Sequence, residues 1–283
     1  MKDRTSHTVR TRRLCMVLSR LRVDAGLTMS QVAKRIGVSP STISRAESGK
    51  RGISRDDLAS LLTIYGASRS VRAAMMELHG EALKPGFLDR GQLQVHEDLE
   101  KWIGFEQDAT VLYNYEPLLV PGLLQTFPYA RAVIQAADLS LSEQVVDDRV
   151  AARISRQALL RQPRSPRLDV VLHEAALHQR VGGSDVMREQ IGYLIESAGR
   201  RGITIRLIPR EVGAHSGMNG PFVVMDYARL PSIVHLENKV ASLYLDAPGD
   251  VQAYKLAWDG LLSVAHAPDR SAEVLRTIAA GLV

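Results

Sequence analysis

The feature that most restricts this chain is a cadence between Arg10 and Leu83, where short apolar-periodic stretches alternate with polar, glycine-bearing turns of three to five residues. Only short helices fit such punctuation. Leu14, Leu18, Leu21 and Ala25 follow one apolar stripe, ended by Gly26. Thr28 is expected to cap a second helix whose Val32, Ala33 and Ile36 face inward, with Gly37 turning the chain. Ser39 caps a third, with Pro40 at the first helical position, where its missing N–H costs nothing, and Gly49 just past the end. Ser54 caps a fourth, with Asp56 and Asp57 near the positive end of its dipole and Leu58, Leu61, Leu62 and Tyr65 turned inward. A fifth is expected from about Ser70 to Leu83, before "KPGF" at Lys84 to Phe87 breaks the pattern.

Charge sets this segment apart. Residues 1–80 carry 15 Lys and Arg against 6 Asp and Glu, net +9, while the remainder is net −4 within a whole-chain balance of +5. A small basic domain joined to a mildly acidic larger one fits a polyanion binder fused to a second module. At 283 residues and 45% hydrophobic composition the chain can support two packed cores. The single cysteine, Cys15, excludes an intrachain disulfide or a multi-thiolate metal site and fits a reducing cytoplasm. Neither a metal nor a cofactor is expected. The apolar run Leu14 to Leu18 is broken by Ser19 and Arg20, too early for a signal-peptide core, and no charge-free run reaches the ~18 to 20 residues of a membrane span. Lys2, Arg4, Arg10, Arg12 and Arg13 make the start basic, and residues 1–9 admit either an arm lying along DNA or a disordered tail.

Two helices joined by a glycine turn, the second beginning Ser-Pro, match the helix-turn-helix unit. In its second helix Ile43 and Ala46 form the inward pair, leaving Ser41, Thr42, Ser44, Arg45 and Ser48 outward. A merely solvated face more usually carries Glu, Lys, Gln and Arg, since Ser and Thr are mediocre helix formers. Short donors and acceptors with one arginine suit a major groove, where Arg can grip guanine O6 and N7 and Ser or Thr can meet several base edges. A solvated face and a DNA-reading face both remain open from this helix alone.

"GVSPSTISRAESGKRG", with "RLCMVLSRLRVDAGLTMSQVAKRI" before it and "ISRDDLASLLTIYG" after it, closely resembles the Xre or phage-repressor-like helix-turn-helix family. That resemblance implies that Pro40, Ser41, Ser44 and Arg45 lie at the bases, while Thr28, Gln31, Ser39, Thr42, Ser48, Lys50 and Arg51 contact phosphates. It also implies a buried ion pair between Arg22 and Glu47. One position departs: the family commonly starts the second helix with a phosphate-binding glutamine, and here Met29 stands there, so that the contact is either lost or taken over by Ser30 or Gln31.

The larger segment, residues 91–283 beyond a linker at 84–90, is expected to be one α+β domain with a mixed or antiparallel sheet. Helices are expected near Gly91 to Gln107, Leu123 to Ala137, Ser142 to Leu160, Asp185 to Arg200 (capped by Ser184), Gly249 to Ala265 and Ser271 to Ala280. Strands are expected near Val111 to Tyr115, in "RLDVVLHE" and "GITIRLIP", and in "PFVVMDY", "SIVHLE" and "ASLYLD". His173 and His178 are five apart, the wrong spacing for a helical zinc pair. His215 and Ser216 lack a nucleophile elbow, no phosphate or dinucleotide loop occurs, and lone His235 in a strand reads as a satisfied side chain in preference to a ligand. "EPLLVPGLLQTFPYA" packs Leu118, Leu119, Val120, Leu123 and Leu124 around Pro121 and Gly122, either as core or as a binding surface. Arg149, Arg153 and Arg156 share a helix face, either solvated or aimed at an acidic partner.

"EPLLVPGLLQTFPYA", "RVAARISRQALL", "HEAALHQRVGG" and "HSGMNGPFVV", in this order behind an Xre-type domain, resemble the WhiJ-type regulators of actinobacteria. The resemblance implies a cytoplasmic, nucleoid-associated repressor of developmental or specialised-metabolism genes, acting with a small BldB-like partner protein; the second domain is expected to pair subunits, bind that protein or sense a ligand. A homodimer on a pseudo-palindromic double-stranded operator is expected, because one such module touches few bases. Two alternatives stay open: an antitoxin that neutralises the small partner, and an enzyme acting through His215, Asp226 or Glu237 with an appended DNA-binding domain.

Overall fold

The computed structural model describes residues 8–82, 87–89, 104–228, 230–238 and 242–282, the last strand-forming triplet before residue 104 in its backbone only. The N-terminal arm up to residue 7, most of the linker and most of the helix expected near Gly91 to Gln107 lie outside the described residues. The chain divides into two compact units, Met1–Phe105 with Val240–Ala247, and Glu106–Lys239 with Pro248–Val283.

The first unit contains five helices: α1 (Val9–Asp24), α2 (Met29–Ile36), α3 (Pro40–Glu47), α4 (Arg55–Ile64) and α5 (Arg69–Gly80). Each of α1 to α5 opens on a Ser or Thr whose hydroxyl accepts a backbone N–H of the first turn: Thr8, Thr28, Ser39, Ser54 and Ser68. Thr28 and Gln31 complete a reciprocal capping box. Gly37 takes φ 72°, the left-handed conformation that lets α2 stop and α3 leave in a new direction. Leu14, Leu18, Val32, Ala33, Ile43, Leu58, Leu61 and Leu62 close the core around these turns.

Three local expectations change. Helix α1 ends at Asp24, so Ala25 is an exposed cap residue, and Val17 joins the buried stripe. Arg12 and Arg13, read as part of a basic start, are buried within α1, and Val9 belongs to the helix and not to an arm. Helix α5 is capped by Ser68 and ends at Gly80, two residues earlier at its cap than the expected start and short of Leu83. A two-stranded antiparallel ladder, β1 (Phe87–Asp89) with β7 (Ser242–Leu245), belongs to the same unit, with Phe87 opposite Tyr244.

In the second unit the sheet is mixed. Its strands β2 (Val111–Glu116), β3 (Arg167–His173), β4 (Ile203–Ile208), β5 (Phe222–Asp226) and β6 (Ile233–Glu237) lie in the order β6-β5-β2-β3-β4. The three centred on β3 are parallel, and β5 and β6 run antiparallel to their neighbours. The helices that serve these crossovers are α7 (Phe127–Ala137), α8 (Glu143–Arg156), the short α9 (Ala175–His178) and α10 (Ser184–Ala198), with α11 (Pro248–Val264) and α12 (Pro268–Gly281) at the end; a single turn, α6 (Phe105–Asp108), precedes them. Period-two burial separates the faces: Leu112, Leu168 and Val170 line one, while Tyr113 and Phe222 on the other meet Trp258 and Tyr254 of α11 at ring separations of 5.3 and 5.1 Å.

The stretch expected as one helix from Leu123 is split. Gly122–Leu124 forms a short 3-10 turn, and α7 starts only after Thr126, because Pro128 supplies no N–H and fits only a first helical turn. Helix α10 is entered through Gly183 at φ 96°, so Ser184 lies inside the helix and does not cap it. Among the described residues no helix is long and apolar enough to cross a membrane.

Candidate nucleic-acid interface

Helix α3 is two-faced. Ile43, Ala46 and Glu47 are buried, while Pro40, Ser41, Arg45 and Ser48 are exposed and Thr42 and Ser44 half-buried. The hydroxyls at its start form a cluster: Ser39 Oγ lies 2.9 Å from both Ser41 Oγ and Thr42 Oγ1 and accepts the Thr42 N–H at 3.3 Å. One hydroxyl therefore accepts at the helix start and meets two others, with a single proton of its own to give, leaving a surface of short groups able to donate or accept. Arg45 Nε donates to the Ser41 carbonyl at 3.3 Å, laying the guanidinium along the exposed face.

At the start of α2 the Gln31 side-chain oxygen accepts the Thr28 N–H at 2.8 Å, so the amide nitrogen is the part of Gln31 left for another partner. Met29 packs half-buried against the core, while Ser30 and Gln31 are exposed beside it. Lys50 and Arg51 are exposed on the turn after α3, which Gly49 makes possible at φ 69° and which the Arg51 N–H ties to the Arg45 carbonyl at 3.1 Å.

The helix is anchored from behind. Arg22 on α1 donates from Nε to both Glu47 oxygens, at 2.9 and 3.0 Å, and from Nη1 to the Leu27 carbonyl at 2.8 Å. Tyr65 adds a hydroxyl donating to Glu47 Oε1 at 3.0 Å, and this contact and burial raise its phenol above the ordinary range, burial foremost. Tyr65 was legible only as an apolar core position. The general need of a buried phenol for a partner was the available signal. Cys15 also touches this joint, its thiol 3.2 Å from the Ala46 carbonyl and pushed up to about 11 by burial.

In the second unit the chemistry-bearing residues do not converge into a triad. His215 packs edge-on to Tyr115 near the end of β2 at 6.1 Å, whereas Asp226 pairs with Val111 at the start of that strand and binds Lys255 at 2.8 Å. Glu237 is exposed at the end of β6, and Ser216, next to His215 in sequence, donates from Oγ to the Ala257 carbonyl at 2.6 Å. His173 ends a strand and His178 sits on α9, where it faces Glu174 at 3.1 Å. His235 is half-buried, and desolvation lowers its pKa. Of the loop's apolar side chains, Val120, Leu123 and Leu124 are core, Leu119 is half-buried and Leu118 is 59% exposed. The three arginines of α8 separate likewise: Arg153 donates to Gln125 at 2.9 Å, Arg156 meets Glu106 at 2.7 Å, and Arg149 is exposed.

Two families match this chain. One, described as a helix-turn-helix domain, covers residues 13–75; the other, described as a domain of unknown function (DUF5753), covers residues 99–277. No curated protein and no solved structure matches it.

Proposed function

The chain belongs to the DUF5753 family and carries a helix-turn-helix domain ahead of that region, and from this premise we propose that it is a sequence-specific transcriptional regulator, a repressor controlled through its second domain. The observation that carries the DNA-reading part is the split of α3, with its hydroxyls and Arg45 exposed on one side and Glu47 locked to Arg22 on the other. A face that must approach base edges needs short groups on a helix that does not move, and the ion pair behind it supplies that rigidity.

In this reading Ser41, Ser44 and Arg45 choose bases, with Pro40 at the first base step, and Thr28, Gln31, Ser39, Thr42, Ser48, Lys50 and Arg51 grip phosphates. The role is supported by the net +9 charge of residues 1–80. Two copies on a pseudo-palindrome would supply the base contacts that one module lacks. The second domain responds to a small BldB-like protein, a reading that rests on the likeness of its motifs to the WhiJ-type regulators.

The test is selection of bound sites from a random duplex library by the full chain and by a Ser41→Ala, Ser44→Ala, Arg45→Ala variant. Enrichment of a two-fold symmetric site by the wild type alone is the expected result, and equal enrichment by both would remove α3 from the role. Purified small partner that neither co-elutes with the chain nor alters operator affinity would remove the partner.

A further inference from the structure

After β3 the chain passes through α9 to Arg180, and α12 runs opposite; between them lies a groove of about 480 Å³ in the second unit. That volume falls in the range of small-molecule sites, roughly 300–1,000 Å³, and ligands of sheets with parallel strands gather outside the carboxyl ends of those strands. The α12 wall presents Val274 and Ile278 beside the Thr277 side chain. Its far end is held in place by Arg188 of α10, which donates to the Leu282 carbonyl and pairs with Asp185 at 2.6 Å.

The mouth is basic. Arg180, Arg270 and His178 line it against a single carboxylate, Glu174, which already faces His178 Nε2 at 3.1 Å. Arg270 has Glu273 at 2.8 Å, while exposed Arg180 has no carboxylate at ion-pair distance among the described residues. Gly281 also lines the groove, and a Cβ placed there would meet nothing within 4 Å.

We propose that this groove binds a small amphipathic anion, a carboxylate with an aliphatic body, its head group on Arg180 and Arg270 and its chain along Val274 and Ile278. A neutral molecule of the same length would leave Arg180 without a counter-charge, and a cationic one would face the basic mouth. The site stands independently of the DNA-reading role of α3.

Calorimetric titration of the full chain with decanoate, decan-1-ol and decyltrimethylammonium, all below micelle-forming concentration, tests it. Decanoate is expected to bind saturably, the alcohol at least tenfold more weakly, and the cation not at all. Combined Arg180→Ala and Arg270→Ala is expected to weaken decanoate at least tenfold. Gly281→Leu, which fills the groove from a position with open space around its Cβ, is expected to abolish binding with the melting temperature unchanged. Absence of saturable decanoate binding, equal affinity for the alcohol, or undiminished binding in both variants would overturn the proposal. Operator binding by the same preparations keeps the two readings apart, since loss of one leaves the other measurable.

Discussion

Arg22 Nε lies 2.9 and 3.0 Å from the two carboxylate oxygens of Glu47, with the side chains only 11% and 3% exposed. Removing one member of such a pair leaves the other buried and uncompensated, which typically costs about 3–5 kcal/mol. Glu47→Ala is therefore expected to destabilise the helical domain by about that amount in urea unfolding, since the Tyr65 hydroxyl also loses its acceptor. Arg22→Met combined with Glu47→Leu removes both charges and is expected to cost much less than the sum of the single changes. Additive losses would show that the two side chains act separately.

The capping hydroxyls divide by position. Ser54 accepts the Asp57 N–H at 3.1 Å on α4, and Ser54→Ala is expected to cost about 1 kcal/mol of stability with operator affinity unchanged. Ser39→Ala loses a cap of the same kind and, on the proposed role, a phosphate contact, so thermal melts and binding isotherms together should show both losses.

Arg45 and Lys50 are both exposed but stand at different stations, one on the face of α3 and one on the turn behind it. Arg45→Ala is expected to cost about 1–3 kcal/mol at one base step and to relax specificity there. Lys50→Ala is expected to weaken all sequences alike and to lower the salt slope of log affinity by about 1. Binding to a randomised site library across salt concentrations distinguishes them.

Gly217 is required by a neighbour. A Cβ there would sit 2.4 Å from Tyr115 Cε1, and Tyr115 is fully buried, its ring held edge-on to His215 and tilted 47° against Phe222. Gly217→Ala is expected to destabilise the second domain by about 1–3 kcal/mol through overpacking, measured by urea unfolding, with operator binding by the first domain retained at low temperature.

Burial raises the Glu116 carboxyl to about 7, opposed by a hydrogen bond from Asn114. Because the folded state holds this proton more tightly than the unfolded chain, its contribution is fully present below the ordinary carboxylate range near 4.5 and is lost as pH rises to about 7. Glu116→Gln is expected to flatten that decline and to be more stable than the wild type above pH 7 by about 2–3 kcal/mol, read as the difference between urea midpoints from pH 5 to 8.

The helical domain was readable because its signals act over a few residues. Thr28, Ser39 and Ser54 cap within three residues of themselves, and Leu58, Leu61 and Leu62 reveal their face by helical spacing alone. The strands of the second domain were legible by alternation for the same reason, although their order, with β2 between a parallel β3 and an antiparallel β5, was not. The break before α7 was carried by Pro128 and hidden by the apolar run around it.

Sequence by itself determined where this chain turns, which faces of α2, α3 and α4 are apolar, and that its positive charge is concentrated at one end. Tertiary structure alone decided which polar groups meet. Tyr65 reaches Glu47 across 18 residues, His173 at the end of β3 stacks on His215 at 5.7 Å, and Gln190 holds the loop backbone at Leu124 and Thr126, with both bonds at 2.7 Å. It also closed Arg12 and Arg13 into the protein, although their charge reads as solvent-facing. Periodicity and capping are local consequences of backbone geometry, whereas the pairing of a buried polar atom depends on whichever distant group packing brings within hydrogen-bond reach.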